Sequence, residues 1–191
     1  MPRIDSEQFY HSSIKKHGRS AQGVNWVSQE TQELRFDIIL DMLPNKIDSL
    51  ADAGCGFGDF FTYLQYATTK CNKYIGIDSL VEMCTIATEN TKEEIILANI
   101  TVDVLPSCEY YICSGAMNIL NSFETHMFIQ NCLQASEKAF IFNILCGNKE
   151  SDRFNYITAN KIKKIAKSLG VKRIEMRDDY MNNDITVGFF H

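Results

Sequence analysis

The apolar residues of the chain alternate between helical and strand spacing from one end to the other. Between residues 30 and 43 they recur at i, i+3, i+4 and i+7, and Pro44 ends this predicted helix. Short apolar runs at 49–53 and 139–145 instead predict buried strands. Repeated switching of this kind is typical of an α/β domain with a mostly parallel sheet, in which ligands bind beyond the carboxyl ends of the strands.

The same patterns predict six helices and seven strands. The predicted helices cover 6–17, 30–43, a segment carrying Phe60, Phe61, Leu64 and Ala67 on one stripe, a segment carrying Leu80, Cys84 and Ala87, 122–136 and 160–169. The predicted strands cover 49–53, 74–77, 95–98, 110–113, 139–145, 171–176 and 185–190. Helices and strands therefore alternate through most of the chain.

The composition is that of a single-domain globular protein. Its 191 residues with 45% hydrophobic content are enough for one continuous core. The formal net charge of -5 disfavours dedicated binding to nucleic acid or to a membrane surface. Seven cysteines without a C-x-x-C pair, and histidines without ligand spacing, disfavour a disulfide framework and a metal site. With no secretory signal and no apolar run of about 20 residues in view, we expect a reduced, cytoplasmic setting.

The strongest local signal is the glycine-rich sequence from Asp52 to Asp59, which lies between a predicted strand and a predicted helix. Closely spaced glycines allow the backbone to turn sharply and a ligand to approach it. A dinucleotide-binding loop would place its third glycine at position 59, where this chain has Asp59. Two carboxylates near the helix start also oppose a pyrophosphate, whereas they attract the sulfonium and ammonium groups of S-adenosylmethionine.

A second acidic signal, Asp78, ends the next predicted strand about 20 residues after the glycines. A carboxylate at this place can accept hydrogen bonds from both ribose hydroxyls of a nucleoside. Each feature alone has an ordinary explanation, a tight turn for the glycines and a helix cap for the aspartate. Their joint occurrence on adjacent strand ends favours a cofactor that contains a nucleoside.

These motifs resemble those of the class I S-adenosylmethionine-dependent methyltransferases. The sequence Asp52-Ala-Gly-Cys-Gly-Phe-Gly58 is similar to the first motif of that family, and Tyr74-Ile-Gly-Ile-Asp78 to the second. The resemblance covers nearly the whole chain and implies a Rossmann-like α/β fold: a seven-stranded, mostly parallel sheet with helices on both faces, the last strand antiparallel and an N-terminal helical cover. It implies one methyltransferase domain, 1–191, with the cover at 1–45 and the cofactor-binding core at 46–191.

Further segments are similar to a group of small bacterial methyltransferases. These segments are His17-Gly18, Val24-Asn25-Trp26, Gln32 to Phe36, Tyr110 to Gly115 with Asn118, and Asp179-Tyr180. The resemblance implies a fold and a cofactor, S-adenosylmethionine, and leaves the acceptor open.

The resemblance also assigns residues to the cofactor. It places Asp52, Gly54, Cys55, Gly56 and Gly58 around the methionine moiety, Asp78 at the ribose, Ser79 and Leu80 beside the adenosine, and Ser114, with Gly115, beneath the donor methyl group. Asn99 follows the third predicted strand, where the family often has an acid that binds the adenine amino group. The amide carbonyl of Asn99 could accept the same bond, or Asn99 could be a plain turn residue.

Two residues upstream of the first strand have two interpretations each. The guanidinium of Arg35 suits a bidentate bond to the methionine carboxylate, but an ion pair with a surface acid such as Glu33 fits the sequence equally well. Trp26, the only tryptophan, is by default a core residue, and the alternative is a lid over the cofactor. We predict that the segment from His17 to Arg35 closes over the cofactor.

The sequence shows no catalytic triad, which methyl transfer does not require because the sulfonium already activates the methyl carbon. We predict that Ser114 and Asn118 orient the acceptor, with Tyr10 or His17 available to take a proton from a hydroxyl acceptor. The structural alternative is a strand-end contact for Ser114 and a helix cap for Asn118.

The predicted function is methyl transfer from S-adenosylmethionine to a nucleophilic atom of a small-molecule acceptor. A nucleic-acid acceptor is disfavoured by the charge and by Ser114-Gly115-Ala116-Met117, which stands where nucleic-acid amino methyltransferases have Asn or Asp before Pro-Pro-aromatic. Two alternatives stay open: a non-catalytic module that binds S-adenosylmethionine, and a nicotinamide-dependent oxidoreductase, which Asp59 disfavours.

Overall fold

The computed structural model describes residues 5–24 and 26–191, so Asn25 lies outside the described residues. The helices are α1 (Ser6–His17), α2 (Gln29–Asp41), α3 (Asp59–Leu64), α4 (Val81–Thr91), α5 (Ser122–Ala135) and α6 (Ala159–Ser168). The strands are β1 (Lys46–Ala53), β2 (Lys70–Asp78), β3 (Glu94–Leu97), β4 (Cys108–Ser114), β5 (Ser136–Leu145), β6 (Arg173–Arg177) and β7 (Asp184–Phe190). Short 3-10 helices, Ala21–Val24 and Ala116–Ile119, precede α2 and α5.

The strands form one seven-stranded sheet in the order β3-β2-β1-β4-β5-β7-β6. Neighbours from β3 to β5 pair in parallel, and β7 pairs antiparallel with both β5 and β6. The predicted fold class is therefore confirmed, including the antiparallel last strand. Because β1 lies between β2 and β4, the loops that follow these three strands meet at one edge of the sheet.

Apolar helix faces cover both sides of the sheet. On one side, α5 and α6 bury Phe128, Ile129 and Ile162 against the strands. On the other side, α2 and α3 bury Phe36 and Phe60. Successive residues of β5 alternate between these two clusters, as the two-residue period of a strand requires. A central strand is therefore apolar on both faces, which is why β5 reads as a continuous apolar run.

The first two strands begin earlier than their apolar residues predict. Lys46 of β1 pairs with Lys70 of β2, and the polar start of each strand continues this parallel ladder. Pairing between parallel strands uses backbone groups, so it extends beyond the apolar residues into the exposed part of the sheet.

Polar side chains set the starts of α2 and α5. Ser28 caps α2, and Asn121 caps α5 by accepting from the backbone N–H of Glu124. The predicted capping role of Asn118 is therefore wrong. Asn118 lies in the preceding 3-10 helix, and its side-chain oxygen accepts a hydrogen bond from Leu145 instead.

The first helix lies at the carboxyl edge of the sheet, beside the glycine loop. Tyr10 and Ile14 of α1 pack with a small cluster formed by Phe57, Met83 and Ile86. Among the described residues, no helix is both long and apolar enough to span a membrane, and no group of three potential ligands is placed to hold a metal ion. The division into a cover at 1–45 and a core at 46–191 stays a prediction.

Candidate active site

The glycine loop connects β1 to α3 in a conformation that glycine adopts readily and other residues do not. Gly54, Gly56 and Gly58 have φ angles of +78°, +55° and +81°. The backbone N–H groups of Gly54 and Cys55 donate to the carbonyl of Ile77, at 2.7 and 3.1 Å. These bonds fix the loop to the carboxyl end of β2.

Asp78 stands at that strand end, half-buried, and lines a cavity. Its Oδ2 accepts from the N–H of Gly56 and its Oδ1 from the N–H of Leu80, each at 3.0 Å. A carboxylate offers about four lone-pair sites, so Asp78 can still accept from a ligand beside these backbone donors. Burial raises the pKa of Asp78 to about 6, although the N–H donors oppose the rise.

Asp52 lies beneath the glycine loop. Its carboxylate is 2% exposed and accepts a hydrogen bond of 2.7 Å from the Tyr74 hydroxyl. Burial raises the pKa of Asp52 to about 7, and the bond from Tyr74 opposes this rise. Asp52 is not among the described residues that line the cavity, and a contact of Asp52 with the methionine moiety stays a prediction.

The cavity has a volume of about 140 Å³ and lies between the glycine loop, the ends of β2 and β4, and α1. The predicted site residues that line it are Trp26, Gly54, Gly56, Asp78, Ser79, Leu80, Asn99, Ser114 and Asn118. Four predicted residues are not among the described lining: Arg35, Asp52, Cys55 and Gly58. Cys55 is buried behind the loop and Gly58 precedes the first turn of α3, so both shape the loop without facing the cavity.

Arg35 is held by a buried acid. Its Nε donates to Oδ2 of Asp184 at 2.8 Å, its Nη2 donates to the same oxygen, and its Nη1 donates to the carbonyl of Thr31 at 3.1 Å. In this structure the guanidinium is neither directed at the cavity nor paired with a surface acid such as Glu33, which corrects both interpretations of Arg35. The physical reason is burial, since a charge this far from solvent needs a charged partner.

Trp26 forms part of the cavity wall and is supported by Arg35. The Arg35 Cζ lies 4.5 Å from the centre of the indole ring, a cation–π contact. The indole atoms Cη2 and Cζ2 lie against Gly115, where an added Cβ would be only 2.7 Å from the ring. Trp26 therefore contacts both the end of β4 and the buried ion pair. Movement of the segment from His17 to Arg35 over a cofactor stays a prediction.

Asn99 lines the cavity, but its amide oxygen already has two donors. Oδ1 accepts from the N–H of Thr101 at 3.0 Å and from the Thr101 hydroxyl at 2.8 Å. This is an Asx turn, which favours the interpretation as a turn residue. A contact of Asn99 with adenine stays a prediction.

Ser114 and Asn118 present opposite hydrogen-bonding groups at the end of β4. The Ser114 hydroxyl donates to Oδ1 of Asn143 at 3.3 Å, which leaves the lone pairs of Ser114 Oγ for a ligand. Asn118 Oδ1 accepts from the N–H of Leu145 at 3.0 Å, which leaves its Nδ2 as a donor. Within the described part of the chain, the buried Nδ2 of Asn143 has no hydrogen-bond partner, a feature that is uncommon in folded proteins.

Aromatic side chains from two further elements close the cavity. The helix α1 contributes Phe9 and Tyr10, and the loop between β5 and α6 contributes Phe154. That loop is fixed to the site because the N–H of Asn155 donates to the carbonyl of Asn118 at 2.7 Å. Sequence reasoning considered only Tyr10 among these three, since a single phenylalanine in a helix or loop carries no local signal of what it covers.

No family model and no curated protein matches this sequence. Solved structures do match its fold. Magnesium protoporphyrin IX methyltransferase of Synechocystis PCC 6803, with bound S-adenosylhomocysteine, superimposes with a TM-score of 0.67 at 13% identity, over 85% of this chain and 83% of that chain. Human N-acetylserotonin methyltransferase, in complex with S-adenosylmethionine, gives a TM-score of 0.74 at 11% identity, over 98% of this chain and 60% of that chain. A methyltransferase of Leishmania major gives 0.71 at 15% identity, over 96% and 83%.

The chain therefore has the fold of the class I S-adenosylmethionine-dependent methyltransferases, as the resemblance implied. At 11–15% identity these three structures show the fold alone, so the narrower bacterial grouping stays a prediction.

Proposed function

We propose that this protein transfers a methyl group from S-adenosylmethionine to a small-molecule acceptor. The observation that carries the proposal is the charge of the cavity, because Asp78 is the one charged side chain among the described residues that line it. A carboxylate without a neighbouring cation favours a ligand with ribose hydroxyls and a sulfonium. The same arrangement disfavours the pyrophosphate of a nicotinamide cofactor.

Two parts of the cavity lining suit parts of such a cofactor. Around Asp78, the side chains of Leu80, Met83 and Ile100 offer an apolar surface for a flat purine ring. At the glycine loop, a Cβ on Gly54 would lie 2.4 Å from the Cβ of Ala116. The glycine loop therefore packs directly against Ala116, which lines the same cavity.

The end of the cavity formed by Ser114 and Asn118, here called the acceptor end, aligns the acceptor with the donor methyl group. S-adenosylmethionine, when bound, supplies a methyl carbon activated by its sulfonium leaving group. The protein mainly has to hold the nucleophile in line with that carbon and exclude water. Ser114 Oγ accepts a hydrogen bond from the O–H or N–H of the acceptor, and Asn118 Nδ2 donates to a neighbouring oxygen. The acceptor releases its proton to solvent as it gains the methyl group, and S-adenosylhomocysteine is the second product. These two residues act in the proposal as orienting groups.

Tyr10 and His17, the two candidate bases, do not fill that role in the proposal. Burial, reinforced by the charge of Asp78, raises the pKa of the Tyr10 phenol above its usual value, so it stays protonated at neutral pH. Tyr10 is therefore a donor. His17 lies outside the cavity, in a neighbouring cleft along α1.

The surroundings of the cavity support a small acceptor in a reducing compartment. Phe9, Trp26 and Phe154 enclose the acceptor end, which favours a small molecule over a nucleic acid. All seven cysteines are free thiols, which supports a cytoplasmic location.

Calorimetry should show micromolar binding of S-adenosylhomocysteine, on the order of -8 kcal/mol, with no comparable binding of NAD. Asp78→Ala should weaken this binding by about 1.5–3 kcal/mol, because it removes hydrogen bonds between the ribose and a charged group. Asp48→Ala is the matched control, since Asp48 is exposed near the opposite end of β1. Unchanged affinity of the Asp78 variant would refute the role of Asp78.

A methyl-transfer assay distinguishes an enzyme from a protein that only binds S-adenosylmethionine. The protein is incubated with methyl-labelled S-adenosylmethionine and a pool of small metabolites, and label should appear in a small molecule. Tight binding of S-adenosylhomocysteine without any transfer would instead favour the non-catalytic alternative.

The affinity for S-adenosylhomocysteine should fall as the pH is lowered from 7.5 to 5. The pKa of Asp78 is raised from 3.8 to about 6, and the ribose hydroxyls bind its ionised form. At one pH unit below this pKa the affinity should drop about tenfold. The stability of the ligand-free protein depends on pH in the opposite direction. The contribution of Asp78 to the free energy of unfolding is full below pH 3.8 and is lost as the pH rises through about 6.

The matched control for the pH series is Asp78→Asn, which should bind more weakly and lose the slope between pH 7.5 and 5. A wild-type affinity that stays constant over this range would show that Asp78 does not titrate with the cofactor.

A further inference from the structure

A second cavity lies beside the first, between α1 and the loop that follows β5. It has a volume of about 580 Å³, and we call it the outer cleft. Phe9 and Phe154 line both cavities, so these two side chains form the partition between them. A molecule that reaches Ser114 through the outer cleft must pass between two phenyl rings.

The outer cleft differs from the inner cavity in charge. Its lining includes Lys16 of α1 and Arg153, both exposed, and neither forms an ion pair with any described residue. The acid of the cleft, Asp5, caps α1 by accepting from the N–H of Gln8 at 3.1 Å. Two cations therefore face this cleft in a chain whose net charge is -5.

Backbone connections hold the cationic side of the outer cleft close to the acceptor end of the inner cavity. Asn155 donates to the carbonyl of Asn118 at 2.7 Å, and its side chain donates to Thr125 Oγ1 at 2.8 Å. Arg153 comes two residues before Asn155, a span of at most about 7 Å. The start of the Arg153 side chain therefore lies at most about 10 Å from the backbone of Asn118, a separation that one substituted aromatic ring can span.

We propose that the acceptor is an aromatic acid. Its ring lies between Phe9 and Phe154, its acidic group meets Lys16 and Arg153 in the outer cleft, and its nucleophilic atom reaches Ser114 and Asn118. Aromatic rings pack favourably against phenyl side chains in offset or edge-to-face geometry, and a guanidinium binds carboxylate and phosphate alike. This inference rests on the proposed function, since it names the substrate class of the same site.

The test uses the full chain saturated with S-adenosylhomocysteine. Calorimetry compares 4-hydroxybenzoate with 4-hydroxybenzamide, which has the same ring and hydroxyl but no charge. We expect the acid to bind at least about tenfold more tightly, and the double variant K16Q/R153Q to lose this preference while its affinity for S-adenosylhomocysteine is unchanged. The control is Lys164→Gln, on an exposed face of α6. Phenyl phosphate, measured beside them, shows whether the cations prefer a phosphate or a carboxylate.

Three results would overturn the inference: equal affinities for acid and amide, an acid preference that persists in K16Q/R153Q, or no binding of any of the probes. Each is scored only after binding of S-adenosylhomocysteine has been measured. Failure of that first step would refute the proposed function itself and is therefore distinguishable from failure of the aromatic-acid assignment.

Discussion

Replacing Asp184 by asparagine should lower the free energy of unfolding by about 3–5 kcal/mol. The amide keeps the shape of the side chain but removes the charge that compensates the guanidinium of Arg35. The side chains of Arg35 and Asp184 are 7% and 1% exposed, so water cannot replace the lost partner. The hydroxyl of Tyr180, which donates to Asp184 Oδ1, loses a charged acceptor as well. Denaturant unfolding of the two proteins measures the difference.

The matched control is Asp179→Asn, which breaks an exposed pair with Arg177. Those two side chains are 65% and 41% exposed, so the expected loss is much smaller than that of Asp184→Asn. Adding Arg35→Met to Asp184→Asn should recover part of the stability, because the uncompensated charge is then removed. An Asp184→Asn protein as stable as the Asp179→Asn control would contradict the importance of the buried pair.

Gly54→Ala should abolish measurable binding of S-adenosylhomocysteine and lower the free energy of unfolding by about 2–5 kcal/mol. Two effects add at this position. The φ angle of +78° strains any residue with a Cβ, and that Cβ would lie 2.4 Å from the Cβ of Ala116. Relief of this clash must shift either the glycine loop or the Ala116–Ile119 turn, and both form the cavity.

Gly170→Ala separates the two effects. Gly170 has a nearly equal φ of +71°, but a Cβ there would meet no atom within 4 Å. This control should cost only about 1–2 kcal/mol and leave binding of S-adenosylhomocysteine intact. Suppose Gly54→Ala lowered the free energy of unfolding no more than Gly170→Ala and still bound S-adenosylhomocysteine. The close approach of the loop to Ala116 would then not be required for ligand binding.

The fold was accessible to sequence reasoning because packing imposes short periods on the chain. The four-residue apolar spacing of α2 and the apolar run of β5 are direct consequences of the surfaces that they bury. The starts of β1 and β2 were missed because Lys46 and Lys70 pair through backbone groups, which leave no trace in side-chain polarity.

The candidate site, like the fold, has parts that the sequence predicts and parts that it does not. Asp78 and the glycines were predicted because their roles depend on local backbone geometry and on the end of one strand. The partner of Arg35 could not be predicted, because Asp184 lies 149 residues away and no local pattern joins them. The hydrogen-bonding character of Ser114 likewise depends on Asn143 in the neighbouring strand, a pairing that exists only once the sheet is assembled.

The position of β7 between β5 and β6 affects the order in which the protein can be completed during synthesis. Although β7 comes last in the chain, it is the only strand of the sheet that pairs with β6, so β6 stays without a neighbour until residues 184–190 have left the ribosome. Arg35 waits much longer for its partner, because Asp184 follows it by 149 residues, roughly 7–30 s at ordinary rates of translation. The ion pair that supports Trp26 therefore forms only after β7 has been synthesised.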